Sequence, residues 1–157
     1  MIKLYADGSC DPNPGVGGWG FAAYWNGMTV TKFGGEPHAT NNQMEITAVA
    51  AGLEAVRALG APTGTVVHVY SDSQYVIKGA RDWIYGWKLG GWLTKDKKPV
   101  QNKDLWMRLD RAKLGLDLTW HWVKGHNGDL GNEKAHKLAE AGRLIAKKNM
   151  KEPSDED

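Results

Sequence analysis

Alternating apolar and polar residues mark the first part of the chain as β-structure. Residues 2–6 alternate with the period of a strand that buries one face, and residues 19–25 and 28–33 predict two more strands. Asn26-Gly27 lies between the last two and is a strong signal for a two-residue hairpin turn. The Pro- and Gly-rich segment 11–18 is predicted to be a loop. The chain therefore opens with a predicted three-stranded antiparallel sheet.

Helical and strand patterns alternate along the rest of the chain. Apolar residues recur with helical spacing from about Asn42 until Gly60 and Pro62 stop the helix. The elements predicted after it are a strand over 65–70, helices over 74–88 and 102–113, a strand over 118–123, and a helix over 130–148 with Asp129 as its N-cap. Strands joined by helices, with no internal repeat or linker, predict one α/β domain over residues 1–150. The polar residues 151–157 are predicted to be a disordered tail.

Composition narrows the class of protein. The chain has 157 residues, of which 41% are hydrophobic and 24% charged, as in an ordinary globular domain. The sequence has no stretch typical of a transmembrane span or a secretory signal. Cys10 is the single cysteine, which excludes an internal disulfide and fits a reducing compartment. These features predict a cytoplasmic protein.

Positive charge and tryptophan are concentrated in residues 78–113. This segment contains ten Lys or Arg and four Asp, so its net charge is +6 and that of the remaining residues is −4, giving +2 in total. Four of the eight tryptophans lie in the same segment. A basic, aromatic-rich lobe beside an acidic remainder favours a surface that binds a polyanion such as nucleic acid. The alternative is a solvated helical face whose tryptophans fill a local core.

Three carboxylates stand near the ends of predicted elements. Asp7 closes the first strand, Asp72 closes the fourth strand, and Glu45 lies in the first turn of the first helix. If the two strands are parallel neighbours, both aspartates emerge at one edge of the sheet, where the ligand sites of α/β sheets gather. Converging carboxylates repel one another, and hard divalent cations usually compensate the charge. One such Asp alone would be a cap or turn residue, but the three together predict a metal site.

The sequence frames around these acids resemble those of type 1 ribonuclease H. The frames are Asp7-Gly8-Ser9, Asn41-Asn42-Gln43-Met44-Glu45, Asp72-Ser73-Gln74-Tyr75 and Gly125-His126-Asn127-Gly128 with Asn132-Glu133. The tryptophan-rich part of residues 78–113 resembles the basic protrusion of the bacterial form and the helix that follows it. The resemblance implies the ribonuclease H-like fold, a five-stranded mixed β-sheet flanked by α-helices. It also implies an endoribonuclease that hydrolyses the RNA strand of RNA–DNA hybrids, leaves 5′-phosphate and 3′-hydroxyl ends, and removes RNA primers and R-loops.

Roles for the catalytic residues are implied by the same resemblance. Two Mg²⁺ ions are expected with substrate, and Asp7 would bridge them. Glu45 and Asp72 would hold the ion on the leaving-group side, while His136 would help to hold the ion that activates the attacking water. His126 resembles the family's mobile histidine, which is proposed to relay protons or to aid product release. Taken in isolation, His126 would be a histidine of a surface loop.

His136 departs from the family's pattern, which has Asp at this position. A neutral imidazole removes one negative charge, offers one nitrogen in place of two oxygens, and suits transition ions better than Mg²⁺. One hypothesis is that the metal site persists with weaker binding and that activity shifts toward Mn²⁺. The rival hypothesis is that His136 does not contact metal and that the three acids suffice. A third possibility is an inactive or engineered variant.

The resemblance also assigns residues to the two strands of a hybrid. Contacts with RNA, whose 2′-hydroxyls distinguish it from DNA, are expected at Cys10, Asn13, Asn42, Ser73 and Gln74. Asn13 and Asn42 also suit a turn former and a helix cap. The contacts expected for DNA are a phosphate pocket at Thr40 and Asn102, a deoxyribose contact at Trp83, and phosphate attraction by Lys88, Lys97 and Lys98. Residues 78–113 are less basic than is usual, which predicts weaker or more salt-sensitive binding of the hybrid.

Two other classes of function are compatible with parts of the sequence. A non-catalytic module that binds hybrid or DNA would explain the basic lobe but not three converging acids. Another nuclease of the same fold superfamily, such as a junction resolvase or a retroviral-type domain, would explain the acids but not the frames that sense a hybrid. The protein is expected to be a monomer with no obligate protein partner.

Overall fold

A five-stranded mixed sheet organises the chain, and the computed structural model describes residues 1–124 and 129–151. The strands are β1 (Ile2–Cys10), β2 (Gly15–Trp25), β3 (Met28–Ala39), β4 (Thr65–Ser71) and β5 (Leu116–Trp122). Their spatial order is β3-β2-β1-β4-β5. The pairs β1–β2 and β2–β3 are antiparallel, while β4 is parallel to both β1 and β5. The predicted α/β fold with a five-stranded mixed sheet is confirmed.

Five α-helices are found in the described part of the chain. They are α1 (Asn41–Ala58), α2 (Gln74–Lys78), α3 (Ile84–Leu89), α4 (Lys103–Ala112) and α5 (Leu130–Lys151). A π-helical turn over Gly79–Trp83 joins α2 to α3. The predicted tail lies outside the described residues except for Lys151, which ends α5. Among the described helices, no segment has both the length and the apolar character needed to cross a membrane.

The first strands are longer than the alternation predicted. β1 continues past Ala6 to Cys10 and β2 begins at Gly15, so Asp7 lies inside a strand instead of closing it. Pairing continues through the glycine-rich segment, where Cys10 is opposite Gly17. Pro and Gly are signals of a loop, which is the basis of the loop prediction for residues 11–18, but residues 15–18 belong to β2 because glycine can also pair within a strand. The extended pairing places Asp7 opposite Gly20 of β2, within the ladder between the two strands.

The start of α1 is fixed by a capping box. The Thr40 hydroxyl accepts a hydrogen bond from the Gln43 amide at 3.1 Å, and the Gln43 side-chain oxygen accepts one from the Thr40 amide at 3.1 Å. Asn42, a candidate cap in the sequence, lies inside the helix and is exposed. Glu45 is therefore the fifth residue of the helix and not part of its first turn.

Different helices cover the two faces of the sheet. On one face, Leu4 and Phe21 belong to a fully buried cluster with apolar residues of α1 and α4. On the other face, α5 packs on β1, β2 and β3. Side chains alternate along β1, so Tyr5 and Asp7 point to the side of α5. Trp106, one of the four tryptophans of residues 78–113, is fully buried in this main cluster.

Glycines allow α5 to lie directly against the sheet. A Cβ added at Gly142 of α5 would collide with the backbone of Gly34 in β3. A Cβ added at Gly18 of β2 would collide with the backbone of Ala139 and Arg143 in α5. Both obstacles are backbone atoms, which cannot move aside as a flexible side chain can. The close approach of α5 sets the distance between its side chains and the end of β1.

Replacing Gly142 by Ala should destabilise the fold. Because the added methyl group meets rigid backbone, we expect Gly142→Ala to lower the free energy of unfolding by about 1–3 kcal/mol, the usual cost of overpacking. Gly86 in α3 is the matched control, since a Cβ there would meet nothing within 4 Å. Gly86→Ala should stabilise the protein by about 0.5–1 kcal/mol through helix propensity. Urea denaturation measures both values, and equal effects of the two variants would contradict the packing argument.

Candidate active site

Three carboxylates converge at one edge of the sheet. Oxygens of Asp7, Glu45 and Asp72 lie within 4.8 Å of one another. Asp72 follows β4 directly, and the parallel pairing of Tyr5 with Tyr70 brings the two aspartates to the same level of neighbouring strands. The two aspartates therefore lie together at one edge of the sheet, as the sequence predicted.

Glu45 reaches the same point because α1 passes very close to β1. A Cβ added at Gly8 would collide with the backbone of Met44 and Glu45. Because glycine has no Cβ, Gly8 permits this close contact between β1 and α1. The contact was not predicted from the sequence. The only signal for it was the Gly that directly follows Asp7.

Burial makes this group of acids electrostatically unfavourable. Asp7 is 4% exposed and Glu45 is 8% exposed. Burial, and next the charge of Asp72, raise the pKa of Asp7 to about 6. Burial, and next the charges of Asp7 and Asp72, raise the pKa of Glu45 well above its usual range. The ionised forms therefore need a compensating positive charge.

The residues present fit a divalent cation. Glu45 Oε2 is buried and has no hydrogen-bond partner among the described residues. A buried carboxylate oxygen is normally hydrogen-bonded or bound to a metal. Together with the convergence of three carboxylates, this oxygen supports the prediction of a site for a hard divalent ion with oxygen ligands. Within residues 1–124 and 129–151, these three acids form the one group of three or more potential metal ligands whose ligand atoms lie close together.

His136 lies beside these acids and contacts Asp7. Its Nδ1 is 3.0 Å from Asp7 Oδ2, and its Nε2 is 3.8 Å from Glu140 Oε2. This hydrogen bond lowers the pKa of Asp7, opposing the larger effect of burial. Since the side chain of His136 is 37% exposed, it stands at the open side of the site. The close packing of α5 against β2 and β3 brings it there.

An open cleft of about 370 Å³ surrounds the acids. Asn42 and Ser73, which the sequence assigned to the RNA strand, line this cleft together with Asp7, Glu45, Asp72 and His136. Ser9 and Asn41 also line the cleft, although neither was predicted from the sequence to contact substrate. Asn41 was visible only as part of the frame that ends in Glu45.

Asn41 ties the segment after β1 to the start of α1. Its side-chain oxygen accepts a hydrogen bond from the backbone N–H of Cys10 at 2.6 Å, and its own backbone N–H donates to the Asn13 side-chain oxygen at 3.0 Å. Cys10 is buried, and burial raises the pKa of its thiol. A raised thiol pKa lowers the fraction of reactive thiolate, so Cys10 has the features of a structural residue. Cys10 and Asn13 are not among the residues that line the cleft, and this network joins them to Asn41, which does line it.

A second cavity, of about 510 Å³, lies beside Asn102 and Gln43. The Gln43 side-chain amide donates to Asn102 Oδ1 at 3.3 Å, and the Asn102 amide donates to the Tyr75 hydroxyl at 3.2 Å. Since Gln43 also forms the capping box with Thr40, it connects the two residues that were predicted to bind a DNA phosphate. Gln43 itself was not among the predicted contacts.

The remaining predicted contacts are spread over the surface. Gln74 lines a cavity of about 210 Å³ with Trp122, next to Asp72. Trp83 is 38% exposed and contacts the rings of Tyr75 and Trp87. The ammonium group of Lys88 lies 3.1 Å from Asp110 Oδ2, so part of its charge is compensated within the protein. Lys97 and Lys98 are exposed in the turn between α3 and α4. His126 lies outside the described residues.

Comparisons with known proteins agree with this geometry. The RNase H family model matches residues 1–143. The ribonuclease H of Cupriavidus metallidurans is 52% identical over 141 residues, which are 90% of this chain and 94% of that protein. The ribonuclease H of Hyphomonas neptunium is 50% identical over 142 residues, which are 90% of this chain and 91% of that protein. The similarity therefore extends over nearly all of each protein.

Solved structures with the same fold include several ribonucleases H. LC9-RNase H1, described as a type 1 RNase H with the type 2 active-site motif, is 30% identical with a TM-score of 0.76, covering 92% of this chain and 72% of that chain. RNase H1 of the halophilic archaeon Halobacterium salinarum is 27% identical with a TM-score of 0.67, covering 90% of this chain and 96% of that chain. LC11-RNase H1, solved in complex with an RNA/DNA hybrid, is 21% identical with a TM-score of 0.69, covering 93% of this chain and 99% of that chain, and shows the fold alone.

Neutralising Asp7 should stabilise the metal-free protein at neutral pH. The folded state holds the Asp7 proton up to about pH 6, whereas the unfolded chain loses it near 3.8, so rising pH destabilises the fold across this window. We expect Asp7→Asn to raise the free energy of unfolding at pH 7 by up to about 3 kcal/mol, and by little at pH 4. Urea denaturation in a chelator at the two pH values measures the difference.

The exposed Asp117 of β5 provides the matched control for this prediction. Asp117→Asn removes the same charge from a solvated position and should change the free energy of unfolding by less than about 0.5 kcal/mol at either pH. Added Mg²⁺ should stabilise the unaltered chain more than the Asp7→Asn variant. Equal stability of the unaltered chain and Asp7→Asn at pH 7 would contradict the electrostatic argument.

Proposed function

Because the chain belongs to the ribonuclease H family, we propose that it hydrolyses the RNA strand of RNA–DNA hybrids at the site of Asp7, Glu45 and Asp72. The observation that carries the proposal is the convergence of three carboxylates from β1, α1 and the end of β4 within 4.8 Å in an open cleft. Two of them are buried and hold their protons unusually tightly, as expected for acids that function with a bound cation. The products would be RNA fragments with 5′-phosphate and 3′-hydroxyl ends, and the substrates would include RNA primers and R-loops.

Divalent ions would supply the electrophile and the activated water for phosphodiester hydrolysis. Asp7, which lies within 4.8 Å of the ligand oxygens of Glu45 and Asp72 and contacts His136, would be a ligand shared by the ions. Glu45 and Asp72 would hold the ion on the leaving-group side. The pairing of Asp7 with Gly20 of β2, and of Tyr5 with Tyr70 of β4 two residues earlier, keeps Asp7 in position, so that little reorganisation is needed when substrate binds. Mg²⁺ is the expected ion because all three ligands are carboxylates.

His136 is proposed to serve the ion that activates water, as a weaker ligand than a carboxylate. Its Nδ1 already contacts Asp7 Oδ2, so a small rotation of the ring would exchange a hydrogen bond for a metal contact. Imidazole favours Mn²⁺ over Mg²⁺. In the rival arrangement His136 keeps its hydrogen bond and acts only by orienting Asp7. His126 is proposed as a proton relay or product-release residue on the sequence alone.

The RNA strand is proposed to lie along the cleft of the three acids. Asn42 and Ser73 line this cleft and can both donate and accept hydrogen bonds, which suits recognition of a 2′-hydroxyl. Cys10 and Asn13 would act through the segment that Asn41 ties to α1. Gln74 would extend the contact beyond Asp72.

The DNA strand is proposed to pass the second cavity and residues 78–113. Thr40 and Asn102 would bind a phosphate at this cavity, with Gln43 holding both residues in place. Trp83 would pack on a deoxyribose, and Lys88, Lys97 and Lys98 would attract phosphates. Because Asp110 compensates Lys88, Lys97 and Lys98 are expected to contribute more of this attraction. We further propose a cytoplasmic monomer, in keeping with the single, buried cysteine.

Cleavage of a labelled hybrid tests the proposed reaction. With Mg²⁺, the chain should cut the RNA strand of a hybrid and leave fragments that a polymerase can extend from their 3′-hydroxyl ends. Asp7→Asn should lose cleavage and keep binding of the hybrid, since the phosphate contacts lie elsewhere. Asp117→Asn should keep both.

Two outcomes would contradict the proposed function. If the unaltered chain binds the hybrid but cleaves it with neither Mg²⁺ nor Mn²⁺, a non-catalytic binding module would be favoured. Preferred cleavage of a four-way junction or of double-stranded RNA over the hybrid would favour another nuclease of the same fold.

Replacement of His136 by Asp tests its role toward metal. A carboxylate restores a hard, charged ligand, so we expect His136→Asp to lower the Mg²⁺ concentration for half-maximal cleavage by on the order of tenfold. The corresponding Mn²⁺ concentration should change less. Asp117→Asn, which removes a carboxylate from an exposed position of β5, is the control and should leave both metal titrations unchanged. Identical metal profiles of the unaltered chain and His136→Asp would exclude the ligand role and favour the orienting one.

A further inference from the structure

A row of four rings crosses the face of the sheet where β1, β4 and β5 lie side by side. Tyr5 stacks on Tyr70 with a centroid separation of 4.5 Å and an interplanar angle of 11°. Tyr70 stacks on His121 at 4.6 Å and 14°, and His121 contacts His68 at 5.0 Å and 30°. The main contacts of α5 are with β1, β2 and β3, so the two histidines lie beyond the area that this helix mainly covers.

The two histidines of this row face each other with ring nitrogens. His68 Nδ1 and His121 Nε2 are 2.8 Å apart. His68 belongs to β4 and His121 to β5, and the parallel pairing of Tyr70 with His121 fixes the register between them. Both rings are half-buried, so solvent ions can reach them. Stacking on Tyr70 restricts the orientation of the His121 ring.

We propose that His68 and His121 form a second metal site, which chelates one transition ion of the Cu²⁺, Ni²⁺ or Zn²⁺ type between β4 and β5. Water would complete the coordination. The ion would join the edge strand β5 to its neighbour through two side chains. This inference does not depend on the nuclease function proposed above.

The separation of the two rings matches a chelate. With metal–nitrogen distances of about 2.05 Å and an angle of about 100° at the ion, the nitrogens would lie about 3.1 Å apart and the ring centroids about 4.9 Å apart. The observed separations are 2.8 Å and 5.0 Å. Replacement of the hydrogen bond by an ion therefore needs rotation of the rings and little movement of the strands.

The protonation state of the pair is compatible with metal binding. Coordination requires neutral imidazoles. Burial, and next the neighbouring His68, lower the pKa of His121, which favours its neutral form at neutral pH. One of the two facing nitrogens carries the hydrogen of the present bond, and on binding that proton would move to the other nitrogen of the same ring. Both rings would then remain neutral, and no proton would be lost from the pair.

Position and chemistry separate this site from the acidic cluster. His68 lies four residues before Asp72 along β4, a distance of about 13 Å for an extended strand. Two imidazoles select ions high in the Irving–Williams order, whereas the carboxylates suit Mg²⁺. The two sites should therefore be filled independently by different ions.

Copper binding to the whole chain tests the proposal. Cu²⁺ is titrated calorimetrically with excess Mg²⁺ present, so that the acidic cluster is occupied. His68→Gln and His121→Gln should each weaken the tight Cu²⁺ site by about a hundredfold, because each removes the intramolecular second ligand. His38→Gln is the matched control, since His38 is an exposed histidine of β3, and it should bind Cu²⁺ as the unaltered chain does.

Electron paramagnetic resonance of the unaltered chain gives a test that does not depend on the folding of a variant. One equivalent of Cu²⁺ should show hyperfine coupling to two imidazole nitrogens. Coupling to fewer than two would overturn the proposal, as would tight binding that survives in both His68→Gln and His121→Gln. Loss of the tight site in His136→Ala alone would also overturn it, because the copper would then lie at the acidic cluster.

Discussion

The mutual repulsion of three carboxylates, two of them buried, is the constraint on which the rest of this structure depends. Asp7, Glu45 and Asp72 would separate if their backbones were free to move, because each buried charge raises the cost of ionising the next. The scaffold prevents separation by placing Asp7 inside a strand that is paired on both sides and Asp72 directly after its parallel neighbour. The folded protein thus holds an arrangement that becomes favourable only when a cation binds.

Two glycines allow the helices α1 and α5 to approach the sheet near this site. At Gly8 the backbone of α1 approaches β1 and carries Glu45 to the aspartates, and at Gly142 the backbone of α5 approaches β3. In both places a methyl group would push a helix away from the sheet by contact with backbone atoms. His136, on α5, reaches Asp7 as a result of this approach. The position of His136 in the site therefore depends on the packing of Gly142, which lies further along α5, as well as on the contact of His136 with Asp7.

The parts of this arrangement that sequence alone predicts are those with a local signal. Asn26-Gly27 predicts the hairpin, and acids after two parallel strands predict their meeting at one edge. Pairing of the glycine-rich start of β2 has no such signal, because glycine gives no alternation. The connection that Gln43 makes between Thr40 and Asn102 could not be predicted for another reason. Its contact with Asn102 joins residues 59 positions apart, and a single sequence carries no sign of such a contact.

The contact of His136 with Asp7 bears on why an imidazole can occupy a position at which a carboxylate is usual. An aspartate there would add a fourth negative charge beside Asp7, whose pKa burial and Asp72 already raise to about 6. The imidazole instead donates a hydrogen bond that favours the ionised form of Asp7. If His136 serves as the proposed ligand, the site would bind Mg²⁺ more weakly than a site with a fourth carboxylate, but it would have less repulsion to overcome before an ion binds. On this proposal, histidine at position 136 would lower the affinity for Mg²⁺ and raise the stability of the metal-free protein, the second effect through its hydrogen bond to Asp7 Oδ2.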